Sequence, residues 1–345
     1  MNPQTRQKWK RFKRIKRGYF SLMVLSFLFF ISLFCELIAN NRPIYIRYQG
    51  QHFFPTYGNY LPGTTFGLDY QWETHYRDLK QKLEQNGQND IVLMPLIPYN
   101  PLENDLKDTS YPPFPPSFED KHFLGTDAIG RDVAARLLYG FRIAMFFSIL
   151  LLIVNYSIGI FIGCLMGYLG GRFDLILQRI IEIWSNIPFL YVVMIFSSIV
   201  TPNFWMLISI MAFFGWTSMT WYMRTATYKE KSREYALAAI AMGASRMRSI
   251  IHHILPNTLS TIITFIPFSI ASGITALTAL DFLGFGLPPP TPSWGELLKQ
   301  GTERLDASWM VWSVVSAMVL VLTMVTFIGE AIREAYDPKQ HTVYE

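Results

Sequence analysis

The sequence predicts an all-α integral membrane protein with six transmembrane helices and one extracytoplasmic insertion. Three observations carry that prediction. The 345 residues are 51% hydrophobic and 16% aromatic, with a mean hydropathy of +0.22. Six apolar runs approach or exceed the roughly 20 residues a helix needs to cross the hydrocarbon core; they are 19–39, 143–168, 179–200, 204–224, 258–284 and 309–330. Finally, the first 20 residues carry Arg6, Lys8, Lys10, Arg11, Lys13, Arg14, Lys16 and Arg17 and no acid.

That basic stretch abuts an apolar run directly. Residues 1–18 are therefore expected to be a cytoplasmic, positive-inside anchor for a first span at 19–39, and not a nucleic-acid arm. The apolar core is too long for a cleaved signal peptide, and no small-x-small site follows it. With the N-terminus inside, 40–140 and 285–308 lie outside, whereas 169–178, 225–257 and the C-terminal tail lie inside. Charge agrees with this arrangement. Residues 41–140 hold twelve acids against nine Lys/Arg, 285–308 three against two, and 225–257 two against five.

Within the insertion, 40–121, a helix is expected near 73–86, with Leu79 and Leu83 on one face and Gly87 beyond its end. The run Tyr111-Pro112-Pro113-Phe114-Pro115-Pro116 reads as a stiff spacer. Next come His122, Gly125, Thr126, Asp127, Gly130, Arg131 and Asp132. This group lacks the tight ligand spacing of a zinc site. It reads as a turn in which Asp127 caps the following helix and Arg131 pairs with Asp132.

Gly170 to Asp174 reads as a tight cytoplasmic turn, and Arg179 and Glu182 are placed to pair three residues apart. Pro188 and Pro202 kink or bound the third span. Asp281, near the end of the fifth span, either lines a polar path or marks the membrane surface. Cys35 and Cys164 lie inside apolar runs and are expected to be buried and unpaired.

One polar stretch lies between spans on the cytoplasmic side, from Glu234 to Asn257. It reads as two short helices meeting at Gly243, with Pro256 ending the second. Tyr235, Ala238, Ala239 and Met242 recur at helical spacing, as do Met247, Ile250, Ile251 and Ile254. The alanine-rich face would let another backbone come close.

Taken together, four stretches resemble the inner-membrane permease subunits of ATP-binding-cassette importers, above all the second permeases of the dipeptide, oligopeptide and nickel systems. Glu234 to Gly243, continuing to His253-Ile254-Leu255-Pro256-Asn257, is similar to the family's EAA coupling loop. Leu124-Gly125-Thr126-Asp127 with Gly130-Arg131-Asp132 resembles the segment that opens the membrane domain. Phe282-Leu283-Gly284 with Pro292, Ser293, Trp294 and Gly295, and Arg333 with Asp337-Pro338, match its later signatures. Ile240 stands where the family often has arginine, and Asp281 where a small hydroxyl residue is usual. The long insertion and the wording around Asp281 look most like the Yej-type permeases, associated with uptake of peptides and microcin C.

The resemblance implies a MetI-like (type I) importer permease domain at 122–339, with a coupling loop at 227–257 and a cytoplasmic tail at 340–345. It implies that Glu234, Tyr235, Ala238, Ala239, Gly243, Ala244, Arg246, His253, Leu255 and Pro256 form the surface that meets an ATPase. Gly125, Thr126, Asp127, Gly130, Arg131 and Asp132 would frame the periplasmic entrance. Leu283, Gly284, Pro292, Trp294 and Gly295 would form a second structural motif. Expected partners are a second permease in a heterodimer, ATPase subunits, a periplasmic substrate-binding protein and the lipid bilayer of the inner membrane, with no nucleic acid.

The chain itself is expected to bind no cofactor and to be no enzyme. It has no Gly-x-x-x-x-Gly-Lys-[Ser/Thr] and no Gly-Lys at all, so ATP and Mg belong on the partner. An ion-coupled secondary transporter would require inverted repeats and mid-membrane ionisable groups. An enzyme or receptor anchored by six spans would require a nucleophile and base in the insertion, and none stands out there. A nickel permease would call for a His/Cys/Met ligand cluster along the path. The sequence does not identify the residues that touch substrate.

Overall fold

A computed structural model describes residues 3–85, 90–106 and 110–336. Gly87, Asp337-Pro338 and the 340–345 tail lie outside the described residues. The order along the chain is α1 (Pro3–Arg14), α2 (Lys16–Ser32), α3 (Cys35–Ile38), β1 (Tyr45–Tyr48), β2 (Gln51–Phe53), α4 (Tyr76–Gln85), β3 (Ile91–Leu93) and α5 (Val133–Leu169). Then follow α6 (Gly171–Ser185), α7 (Phe189–Ile199), α8 (Phe204–Lys231), α9 (Glu234–Ala241) and α10 (Arg246–Arg248). A π-turn (Ser249–Ile254), α11 (Leu255–Leu283), α12 (Trp294–Glu303) and α13 (Ser308–Tyr336) complete it.

Among the described residues, four stretches, containing α5, α8, α11 and α13, are long and apolar enough to cross a membrane unbroken, and the count reaches six if each of two bent pairs is one span. The pairs are α1 with α2, bent by 98°, and α6 with α7, bent by 63°. The second bend falls at Pro188, which takes the N-cap of α7, as its missing N–H dictates. The expected turn at Gly170 to Asp174 shrinks to Gly170 and Gly171, both at positive φ, and Asp174 is already helical.

Packing, more than capping, decides these helices. Phe147 of α5, Leu207 of α8, Ile274 of α11 and Met310 and Val314 of α13 meet in one core and are fully buried. The seam between α5 and α8 is close over three successive turns. Gly159, Gly163 and Gly167 lie four apart on α5, and a Cβ built on them would come within 2.7, 2.5 and 2.5 Å of the Trp216, Thr220 and Arg224 carbonyl oxygens. Small residues at this spacing let two membrane helices touch backbone to backbone. Cys35 and Cys164 are buried and unpaired, as expected.

The insertion is where an all-α description falls short. Its strands form a three-stranded antiparallel sheet in the order β2-β1-β3. Ile46 and Val92 from the sheet pack with Tyr76, Leu79 and Leu83 of α4 and with Phe66, a separate small core. The expected helix thus exists with Leu79 and Leu83 inward, and the sheet gives it something to bury that face against. Strands of three or four residues carry too few alternations to be read from pattern.

Candidate functional site

Three places in the fold stand out: the seam between the Gly125–Arg136 segment and α12, termed the outer seam from its expected orientation, a cavity between the long helices, and the Glu234–Asn257 stretch.

At the outer seam the predicted turn exists, but its charges pair differently. Asp132, not Asp127, caps α5 by accepting from the Ala135 amide at 2.7 Å. Asp127 folds the loop, accepting from the Ile129 and Arg131 amides at 3.1 and 2.9 Å and from Arg131 Nε at 2.6 Å. Arg131 does not pair with Asp132; its Nη2 reaches Glu296 of α12 at 2.7 Å. Arg136 also donates to Glu296 and to the Pro101 carbonyl at 3.1 Å. Both guanidiniums are buried, so the carboxylates offset a desolvation cost that either alone would find hard to bear.

His122 lies between two acids, with Nδ1 at 2.7 Å from Asp132 and Nε2 at 3.1 Å from Asp105. Its ring stacks on Tyr99 at 3.9 Å. Burial alone would lower the imidazole pKa, but the hydrogen bonds to Asp105 and Asp132 outweigh it and hold the ring above its ordinary value. Gly125 (φ +73°) leaves room for Trp309, whose Nε1 donates to the Thr126 carbonyl at 3.0 Å. The Thr126 hydroxyl accepts from the Phe114 amide at 2.7 Å, so the proline-rich spacer is fastened down. Gly130 admits the Asp105 carbonyl where a Cβ would stand.

The second motif closes the same seam. Gly284, in the left-handed region, ends α11 with the paired 6→1 and 5→2 bonds of a Schellman cap, Phe285 to Leu280 and itself to Asp281. Leu283 is half exposed, Pro292 is buried, and the Trp294 indole donates to the Leu137 carbonyl at 3.0 Å. Gly295 sits where a Cβ would meet the Thr278 carbonyl. Asp281 accepts from the Leu287 amide at 2.7 Å and the Ser293 hydroxyl at 2.5 Å. In the structure Asp281 holds the Leu287–Ser293 loop together at the end of α11.

Near the middles of α5, α8 and α11 lies a cavity of about 290 Å³ lined by Asn155, Tyr156, Ser218, Tyr222, Ser269 and Ser272 among others. Its polar groups are neutral. Tyr156 and Ser269 share a hydrogen bond at 2.8 Å, whereas the Asn155 amide oxygen is buried with no partner among the described residues. The sequence reading missed these residues. Their only sign was a scatter of amide and hydroxyl groups inside apolar runs. A larger, apolar cavity of about 510 Å³, bounded by Phe161, Cys164, Met247 and Ile251, shares the Tyr156 wall.

The Glu234–Asn257 stretch bends at Gly243 as expected. Gly243 has φ +83° with open space around it, so backbone conformation and not crowding selects glycine. The Gly243 and Ala244 amides bond to the Ile240 and Ala239 carbonyls at 2.9 and 3.0 Å, a Schellman cap on α9. Two expectations need correcting. Pro256 does not end the second helix. That helix widens into the π-turn and runs on as α11, with Pro256 just after the widened turn. Ala239, expected on the surface that meets the ATPase, is instead packed inward. Ala236 and Ala239 are buried, while Ala238 and Met242 face out with Leu237 and Ile240.

Tyr235 links the loop to α8 by donating to Glu230 at 2.8 Å; burial and this carboxylate push its phenol up to about 12. Glu234 and Arg246 are exposed, and Leu255 and His253 are half-buried. One turn away, the Asp174 carboxylate grips Arg224 through two bonds of 2.6 Å, locking α6 to α8.

The sequence profile described as "Binding-protein-dependent transport system inner membrane component" matches residues 159–342. The chain is 42% identical to the inner membrane ABC transporter permease protein YejE of Escherichia coli strain K12, over 99% of this chain and 98% of that one. It is 36% identical to the peptidoglycan transport system permease protein YejE of Agrobacterium fabrum, over 98% and 94%. With the dipeptide transport system permease protein DppC of Bacillus subtilis it shares 34% identity, over 71% and 75%. The apolar helices, the Asp127–Glu296 seam and the capped helix α9 thus sit in a chain that belongs to the binding-protein-dependent inner-membrane permeases of ABC transporters.

Proposed function

We propose that this permease carries peptides or peptide-like compounds, microcin C among them, through the inner membrane, and that α9 is where an ATPase subunit drives it. The substrate class is supported by the names of two relatives, one a dipeptide and one a peptidoglycan transport permease, and by the character of the central cavity. An uncharged lining in which the Asn155 amide and five hydroxyl groups sit among apolar side chains suits a peptide backbone and is indifferent to side-chain charge. ATP and Mg sit on the ATPase, two such subunits serve a heterodimer of permeases, and a binding protein delivers substrate at the outer seam. Both termini lie in the cytoplasm.

The observation that carries the coupling role is the split character of α9. Its small face is packed on its own span, whereas Leu237, Ile240 and Met242 remain exposed on a polar loop. Apolar side chains outside the spans call for a cover. α9 is capped at Gly243 and packs on the π-turn, which runs on into α11, so displacement at α9 is passed to the cavity wall at Phe265, Ser269 and Ser272.

The test is Gly243→Asp alongside Glu234→Arg. Each variant should insert in the membrane normally and lose peptide uptake. A Gly243→Asp permease that assembles with its ATPase and transports at the normal rate would show the coupling role to be wrong.

A further inference from the structure

Orientation is the only task so far given to the basic N-terminus, yet in the structure it is a folded, docked helix. α1 meets α2 at 98°. Because α2 is the apolar partner of that pair, α1 runs along the membrane surface instead of out into water. It is held there by its inner face. Phe12 is buried against Ala331 and Ala335 of α13 and Lys8 Nζ lies 4.4 Å above the Tyr336 ring, while at the start of α2 Arg17 reaches Glu330 at 3.4 Å. Trp9, half exposed, stacks on Phe12 at 5.4 Å, the placement an indole takes at a membrane–water boundary.

Lys8 and Arg17 are thus used in docking. Lys10, Arg11 and Arg14 are not, and they have no ion-pair partner among the described residues. They converge with Gln7 and Ile15 on a cleft of about 360 Å³ where α1 crosses the end of α13, and Glu334 is the one carboxylate lining it. Lys10 and Arg14 stand four apart and Arg11 and Arg14 three apart, spacings at which like charges repel. Three cations facing one acid, on a helix lying in the interface, make a complementary seat for an anion at the depth of the lipid headgroups.

We propose that this cleft binds the headgroup phosphate of an anionic phospholipid, which neutralises Lys10, Arg11 and Arg14 and fastens α1 to the end of α13. Basic pockets between helices at a membrane surface hold such headgroups, and a basic amphipathic helix with an aromatic flank suits the interface. The ligand is a membrane component, so the site is occupied whether or not the transporter is working.

The test uses the full-length permease in its importer complex, purified in detergent and titrated with phosphatidylglycerol, phosphatidylcholine or inorganic phosphate, with bound lipid counted by native mass spectrometry. The variant is Lys10→Gln/Arg11→Gln/Arg14→Gln. The control, Lys80→Gln/Lys82→Gln/Lys121→Gln, removes the same charge from the insertion. Wild type and control should hold phosphatidylglycerol, and the triple variant should hold it about a hundredfold more weakly, each cation near an anionic surface being worth roughly fivefold. Should the triple variant fold poorly, Arg11→Gln alone should show about one fivefold step. Equal retention by variant and control would overturn the proposal, as would equal binding of phosphatidylcholine. Inorganic phosphate binding as tightly as the lipid would overturn the lipid assignment. Loss of the ATPase subunit from the triple variant, with lipid retained, would reassign the patch to a protein contact and overturn it as well.

Discussion

Replacing Gly163 by alanine sets two known effects against each other. In a helix interior alanine is favoured over glycine by about 0.8–1 kcal/mol. At this position, however, the new Cβ would stand 2.5 Å from the Thr220 carbonyl oxygen and 2.8 Å from Met223 Cβ. The first neighbour is backbone and cannot rotate aside, so α8 must retreat by roughly 1 Å to reach an ordinary carbon–oxygen contact. Overpacking of this kind costs about 1–3 kcal/mol, and a gap of that width forfeits up to half of each neighbouring dispersion contact. We place the crowding near the upper end, because the Gly159 and Gly167 contacts on the same stripe open with it. The net result is a loss of about 1–2 kcal/mol. Unfolding of the purified permease in mixed detergent and denaturant measures it, with Ile158→Ala on the outward face of α5 as control. A Gly163→Ala protein as stable as wild type would mean that propensity wins and that the two backbones do not touch.

Two further outcomes follow from the outer seam. Glu296→Gln keeps the shape of its side chain but leaves the buried Arg131 and Arg136 to share Asp127, a loss of about 3–5 kcal/mol in unfolding measurements; a change below about 0.5 kcal/mol would contradict the pairing. His122 is held above the usual histidine pKa by Asp105 and Asp132. Its contribution is therefore complete below pH ~6.5, the unfolded value, and is lost as pH rises through the folded one. Stability of the wild type should fall across that window while His122→Gln loses this slope, and identical pH profiles would refute the reading.

How much of this was legible beforehand divides along physical lines. The spans follow from apolar length alone, and the bend at Gly243 from a residue that tolerates positive φ. Glu234 to Ala241 shows where periodicity stops helping. Helical spacing grouped Tyr235, Ala238, Ala239 and Met242, but in so apolar a segment spacing does not say which face the rest of the chain covers. The structure chose Ala236 and Ala239. Asp127 and Asp132 exchanged their expected roles because Arg131 and His122, which they hold, are also bound by Glu296 and Asp105, and those carboxylates are remote in sequence. The Gly159–Gly163–Gly167 stripe was legible as a pattern of small residues four apart and went unread. Asn155 and Ser269 carry no local signature, since a cavity between three helices exists only once they pack.

The account rests most heavily on α9 being the surface an ATPase subunit covers. Single cysteines at Leu237 and Met242, which are 53% and 82% exposed, and at Ala239, which is 3% exposed, can be placed in a permease whose own Cys35 and Cys164 are buried. Cross-linking in the assembled importer should join Leu237→Cys and Met242→Cys to the ATPase subunit and leave Ala239→Cys unreacted. An active importer in which neither exposed position reaches the ATPase would contradict it.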